Sequence, residues 1–307
     1  MCTDHPVDGS YRRPTAARSD VRATRRRFLV GGAGALAGTI GLGMLSGTAG
    51  AEESTTDDGA AADEYSEANA EDGSSDSAVA DGSSAISIPR YLNRPAWGAD
   101  ESLRRNDKGE VDYPVEFFPV QKITVHHSAS WTPWSDDDST ALVQAIYDEH
   151  VLQEFGDIGY HLMIDPLGTV YEGRYSGGTR FPIYDLYPSE AVTPGAVNAA
   201  HTFHFNAGNI GIALLGDYES NDISDEAWWA LKTTVAMICV NTGLDPLGES
   251  LYRNPINGIE AVLPNVLPHR TAAGTLCPGE SVVSRFEELR EAASALLPRL
   301  AAETWLA

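Results

Sequence analysis

The chain has 307 residues, with 44 acidic side chains against 21 basic ones and a formal net charge of −23. It is long enough for one large or two small domains with a real core, and its acidity excludes nucleic acid as a partner, because nothing would neutralise the phosphates. Charge of that depth and spread keeps a protein soluble by self-repulsion, which suits high salt.

The charge is uneven. Residues 1–51 hold seven arginines and three acids, and TRRRFL (24–29) is followed by a weakly apolar Gly/Ala-rich run that ends in Ala49-Gly50-Ala51. Arginines, an apolar region and an A-x-A site make an export leader, and the paired arginines before Phe-Leu point to the twin-arginine route. The run has roughly the 20 residues of a membrane span. Its eight glycines between Gly31 and Gly50 lower its hydrophobicity, so cleavage and secretion are expected, with an uncleaved anchor as the alternative. Residues 52–85 carry eleven acids and no Lys or Arg. Such a segment cannot bury enough apolar surface to offset chain entropy and is expected to be a disordered tether. The folded domain is expected over 86–307.

KITVHHSAS (122–130) has the β-branched content of a strand, on which His126 and His127 point to opposite faces. The acids of SDDD suit a helix N-terminus, and the helix is predicted over Asp138 to Phe155. Gly159 to Arg174 reads as a hairpin turning at Asp165 to Gly168. NIGIALLGD (209–217) is apolar enough for a buried central strand. Ser224 caps a helix that runs to Asn241, with Gly243 as its stop. A last helix carries Val282, Phe286, Leu289, Ala293 and Leu296 on one face. The pattern predicts a mixed α/β fold: a single domain with a central, mostly β sheet flanked by helices.

Chemistry gathers in PHRTAAGTLCPG (268–279). His269 and Cys277 lie eight residues apart across a loop of small residues. Imidazole and thiolate are preferred zinc ligands, and a flexible Gly/Ala loop lets both turn toward one point. A catalytic zinc takes three protein ligands and keeps a fourth position for water. The third must come from elsewhere, and VHHSAS (125–130) offers it. Cys239 falls on the apolar face of a helix and reads as a buried small hydrophobe, while Cys2 lies in the leader. Three cysteines do not suggest a disulfide framework.

VHHSAS, GYHLMIDPLGTVYEGR, AAHTFHFNAGNIGIALLGDY and PHRTAAGTLCPG occur in this order along the chain. Their order and spacing resemble the peptidoglycan recognition protein / type 2 N-acetylmuramoyl-L-alanine amidase family, and NRPAWGA (93–99) is similar to that family's N-terminal segment. The resemblance covers about residues 88–300. It implies the family's fold and a zinc ion held by His126, His269 and Cys277. It also implies Tyr160 beside the metal-bound water, with Thr275 at a position that is lysine or threonine in catalytic members. His201 and Asn206 precede the NIGIALLG strand where the family uses similar residues near the substrate. The implied substrate is peptidoglycan or a muropeptide, cut between N-acetylmuramic acid and L-alanine by a secreted monomer.

Three functions compete: that amidase, a non-catalytic peptidoglycan-binding module, and a zinc hydrolase of another amide. Recognition-only members of the family typically lack the metal cysteine, so Cys277 favours catalysis. Zinc would supply an activated water and polarise the carbonyl. Tyr160 could donate its phenolic hydrogen to the oxyanion. Thr275 can hydrogen-bond but cannot act as a base, so the proton acceptor stays open. Bland roles compete as well. His127 and His150 read as packing or capping residues, and Arg174 as a hairpin-end charge. Phe181, Tyr184 and Tyr187 could stack on sugar or pin a loop. The segments 175–200 and 246–264 look long for the family.

Overall fold

The computed structural model describes residues 86–177, 182–185 and 193–302. The expected leader (1–51) and tether (52–85), with Phe181 and Tyr187, lie outside the described residues.

The core is a six-stranded mixed sheet in the order β1-β5-β4-β7-β3-β10. Its strands are β1 (Tyr91–Leu92), β3 (Lys122–His127), β4 (Leu162–Ile164), β5 (Val170–Glu172), β7 (Asn209–Leu214) and β10 (Val266–Pro268). β4, β7, β3 and β10 run parallel, and β5 returns antiparallel to β4 across the predicted hairpin. Outside this sheet, β2 (Phe117–Pro119) pairs with β6 (Gly195–Val197), and β8 (Glu249–Arg253) with β9 (Glu260–Pro264). The second long segment is therefore a hairpin. In the first, Tyr184 is buried and bridges to Ala196.

Among the described residues four helices cover the sheet: α1 (Asp136–Leu152), α2 (Asp225–Thr242), the short α3 (Glu280–Val283) and α4 (Phe286–Ala302). α1 begins at Asp136 because the Ser135 hydroxyl accepts from the Asp138 N–H, a cap that precedes the acids. α2 starts at its Ser224 cap and stops at Gly243, whose φ of 73° is left-handed. The predicted last helix is broken between Val283 and Phe286. Val282, Phe286, Leu289 and Ala293 nonetheless enter one core.

Strand alternation sorts the two faces of the sheet. Ile123 and Val125 of β3, with Ile210, Ile212 and Leu214 of β7, pack with residues of α2 and α4. On the opposite face, Ala213 joins a second core with Leu142, Val143, Ile146 and Tyr147 of α1 and with Trp97. Thr124 and His126 share that second face by alternation. Their β7 partners in register are Gly211 and Ala213, so small residues there leave room for imidazoles. Among the described residues no helix is long and apolar enough to cross a membrane.

Candidate metal centre

Parallel strands bring their carboxyl ends to one edge, where open α/β sheets bind ligands. His126 sits near that end of β3. Pro268 of β10 lies beside Val125 in register, which brings His269, the next residue, abreast of His126. His269 opens a 3₁₀ turn (His269–Thr271), and the loop beyond it is closed by the Arg270 N–H donating to the Cys277 carbonyl (2.9 Å). Cys277 is thereby returned to His126.

The result is a buried donor set. His126, His269 and Cys277 each present a ligand atom, and the three atoms lie within 4.8 Å of one another. His126 Nδ1 is 3.8 Å from Cys277 Sγ, and the His126 and His269 ring centroids are 4.3 Å apart. A tetrahedral zinc with ordinary Zn–S and Zn–N lengths would set such an S···N pair about 3.6 Å apart, so the residues present fit the metal. The His127 N–H donates to Cys277 Sγ (3.4 Å), which favours the thiolate as charge-assisted hydrogen bonds do. Burial, reinforced by His269 and His201, holds the His126 imidazole well below the usual histidine range. A neutral ring keeps a lone pair to offer a metal.

The other expected residues fall around this set. The Tyr160 ring lies 5.3 Å from that of His126 and is almost fully buried. Thr275, half-buried, accepts the Cys277 N–H on its hydroxyl (3.2 Å), which leaves its own O–H to donate. His201 reaches the centre itself: its Nδ1 is 3.0 Å from His126 Nε2. Asn206 is used one step back, its Oδ1 accepting the backbone N–H groups of His201 and Thr202 (2.9 and 2.7 Å).

His127 faces the other way and accepts the Tyr218 N–H on Nδ1 (3.1 Å). His150 accepts the Gly159 N–H (2.9 Å), fixing the segment that carries Tyr160. Arg174 departs from a hairpin-end charge: it is buried, and its guanidinium donates to the Phe155 carbonyl (2.9 Å).

Sequence reasoning missed Gly211, Asn209 and His161. A Cβ at Gly211 would lie 2.6 Å from Cγ of His201, so the strand needs glycine to seat that ring. His161 takes the Gly211 N–H on Nδ1 (2.9 Å) and sits 5.5 Å, ring to ring, from His201. The signal was present in NIGIALLG, where large and small residues alternate and the small ones mark the site face.

A mixed α/β domain with a buried His-His-Cys donor set at the carboxyl edge of its sheet defines the class. The family model described as N-acetylmuramoyl-L-alanine amidase (Amidase_2) matches residues 116–280, more than half of the chain. The chain belongs to this peptidoglycan recognition protein / type 2 amidase family. Peptidoglycan-recognition protein 2 of Holotrichia diomphalia is 26% identical over 134 residues, which are 43% of this chain and 57% of that protein's own length. Peptidoglycan-recognition protein LB of Drosophila melanogaster is 25% identical over 200 residues, 63% of this chain and 66% of that protein. Among solved structures, Drosophila PGRP-LB matches at a TM-score of 0.46 and 24% identity, over 64% of this chain and 92% of that one. The amidase LysC from Clostridium intestinale matches at 0.43 and 18%, over 66% and 97%.

Proposed function

We propose that the chain is a zinc-dependent N-acetylmuramoyl-L-alanine amidase that hydrolyses the amide between N-acetylmuramic acid and L-alanine of peptidoglycan, acting as a secreted monomer. The observation that carries this reading is the convergence of His126, His269 and Cys277 on one buried point beside Tyr160. Two neutral imidazoles and a thiolate would hold zinc, which supplies an activated water and polarises the scissile carbonyl. Tyr160 donates its phenolic hydrogen to the oxygen that becomes the oxyanion, and near-complete burial makes that hydrogen bond count for more than it would in water. Thr275 offers a second hydroxyl hydrogen from the cysteine loop. Net hydrolysis would place a hydroxyl on the lactyl carbonyl carbon and a proton on the departing alanine nitrogen as the amide bond breaks.

The test is mass analysis of products after incubating the zinc-loaded protein with purified muropeptides. The expected result is a stem peptide with a free L-alanine amine and a saccharide with a free lactyl carboxylate, summing to substrate plus one water. Binding without cleavage would make the chain a recognition module, and cleavage of a different amide would move it to another hydrolase. Export is part of the same reading, with 1–51 as a twin-arginine leader and 52–85 as a tether. Replacing Arg25 and Arg26 together by lysine should strand the precursor in the cytoplasm, and normal secretion of that variant would overturn the route.

A further inference from the structure

His201 is clamped on every side that the structure describes. Its Nε2 lies 2.9 Å from the carbonyl oxygen of Asn209. A carbonyl only accepts, so Nε2 carries the proton and donates it. That leaves Nδ1 of a neutral ring as an acceptor, 3.0 Å from His126 Nε2 and 2.9 Å from the Thr202 hydroxyl. His126 must therefore carry its own proton on Nε2 and donate it to His201. Its remaining lone pair is on Nδ1, the atom that lies 3.8 Å from Cys277 Sγ. The absent side chain of Gly211 makes room for the His201 ring, and His161 lies against it, held by its own bond to the Val197 carbonyl (2.7 Å). The loop that delivers His201 is fastened by Asn206.

We infer that His201 is a positioning residue for the metal centre: through the chain Asn209 carbonyl, His201, His126, it fixes the tautomer and rotation of His126 that turn Nδ1 toward the metal point. The inference rests on the zinc reading proposed above. It also redirects the expectation that His201 contacts substrate, since both of its ring nitrogens are engaged inside the protein. Outer partners that orient a ligating histidine in this way contribute about 10–100-fold to metal affinity.

The experiment measures zinc affinity of the full chain by chelator competition, together with the absorption spectrum of the cobalt-substituted protein. His201→Ala should weaken zinc binding by about 10–100-fold and alter the cobalt spectrum, while circular dichroism shows a folded domain. His201→Gln, whose amide can both donate and accept, should recover part of the loss. Gly211→Ala keeps the histidine but takes its room, and should reproduce the His201→Ala defect. A folded His201→Ala protein with unchanged zinc affinity and cobalt spectrum would reduce His201 to packing. Should the variants fail to fold, ring-nitrogen NMR of the wild-type protein decides. A proton on Nε2 of both His126 and His201 supports the assignment, and a proton on Nδ1 of His126 overturns it. Because metal affinity and tautomer are read without substrate, failure of the amidase reading leaves this result standing, and the reverse holds too.

Discussion

The Asp157 cluster and the donor set, two of the buried polar clusters among the described residues, differ in what they need from outside. The first is built on Asp157. Its Oδ1 receives Arg94 Nη1 (3.0 Å) and the Ile158 N–H (2.7 Å), while its Oδ2 receives Arg104 Nε (3.4 Å) and the Tyr175 N–H (2.9 Å). Glu101 pairs with Arg94 and Arg104, Glu172 accepts the Arg94 backbone N–H, and Arg174 packs nearby against backbone carbonyls. Two guanidiniums, those of Arg94 and Arg104, thus share two carboxylates, those of Asp157 and Glu101. Burial pulls Arg94 down, but Asp157 and Glu101 outweigh it and hold the guanidinium above its ordinary range. The second cluster is the candidate metal centre, where burial keeps the His126 imidazole neutral and three ligand atoms converge on one point. Charges balanced within the chain hold a fold together. Converging lone pairs create a place for a cation that the chain does not itself supply.

That contrast can be broken by one substitution in each cluster. Cys277→Ser removes the only thiolate of the donor set, so elemental analysis should find zinc retention weakened and hydrolysis lost, with melting of the metal-free protein nearly unchanged. Full zinc and full activity in that variant would erase the distinction. Asp157→Asn should do the opposite. It leaves Arg94 and Arg104 with only the part-exposed Glu101 as a carboxylate partner, and removing one partner from a buried ion pair costs about 3–5 kcal/mol. Denaturant melts should show that loss while zinc affinity stays as in the wild type. Tyr160→Phe sharpens the metal side alone. Zinc should be kept, and kcat/KM should fall by roughly 2–4 kcal/mol of transition-state stabilisation, the scale of one oxyanion donor. An unchanged rate would leave Tyr160 a packing residue.

Much of this was legible in the sequence because it depends on local signals. Ser224 and Gly243 mark a helix at both ends, and the His-x₇-Cys loop with an upstream histidine pair is chemistry that spacing can carry. The arginine cluster was not legible, since Arg94, Asp157 and Arg174 are far apart in the chain and each reads alone as a surface charge. Only folding reveals that they share one buried point. The break before Phe286 was hidden because Val282 and Phe286 keep helical spacing across it and enter the same core. His201 was placed near the site by resemblance, but its role depends on Gly211, and a glycine in an apolar strand is silent until the ring it admits is known.

The two clusters also part company with pH. Burial pushes the His161 imidazole down to about 4 and that of His150 to about 3. In the unfolded chain both take a proton near pH 6.5, which the folded domain refuses. Their contribution to stability is therefore complete above about pH 6.5 and is lost as pH falls toward 4 for His161, amounting to ~3 kcal/mol for that residue. In the other cluster burial raises the Glu172 carboxyl above its ordinary range, a shift of opposite sign that favours the folded state as pH falls. His161→Gln should flatten part of the acid limb of the melting curve between pH 6.5 and 4. An unchanged slope would place the acid sensitivity elsewhere.

Salt gives the smallest effect, because it acts on neither cluster. Residues 84–307 hold 30 acids against 14 bases, and like charges at that density repel and favour expansion. Raising ionic strength from 0.1 M to 1 M shortens the Debye length from about 10 Å to about 3 Å and screens that repulsion. The same screening weakens exposed attractive pairs such as Arg90 with Asp136 and Arg253 with Glu260, but such pairs contribute little, and with twice as many acids as bases repulsion dominates. Buried pairs are screened far less, so the Asp157 cluster and the donor set should hardly respond. A melting series of the zinc-loaded protein at fixed pH should show a modest rise in Tm up to molar KCl, with the deficit of Asp157→Asn the same at both ends. A flat or falling Tm would mean that the acidity is no adaptation to high salt. A deficit that shrinks with salt would mean that the Asp157 cluster is solvated, and its contrast with the metal centre would then rest on composition alone.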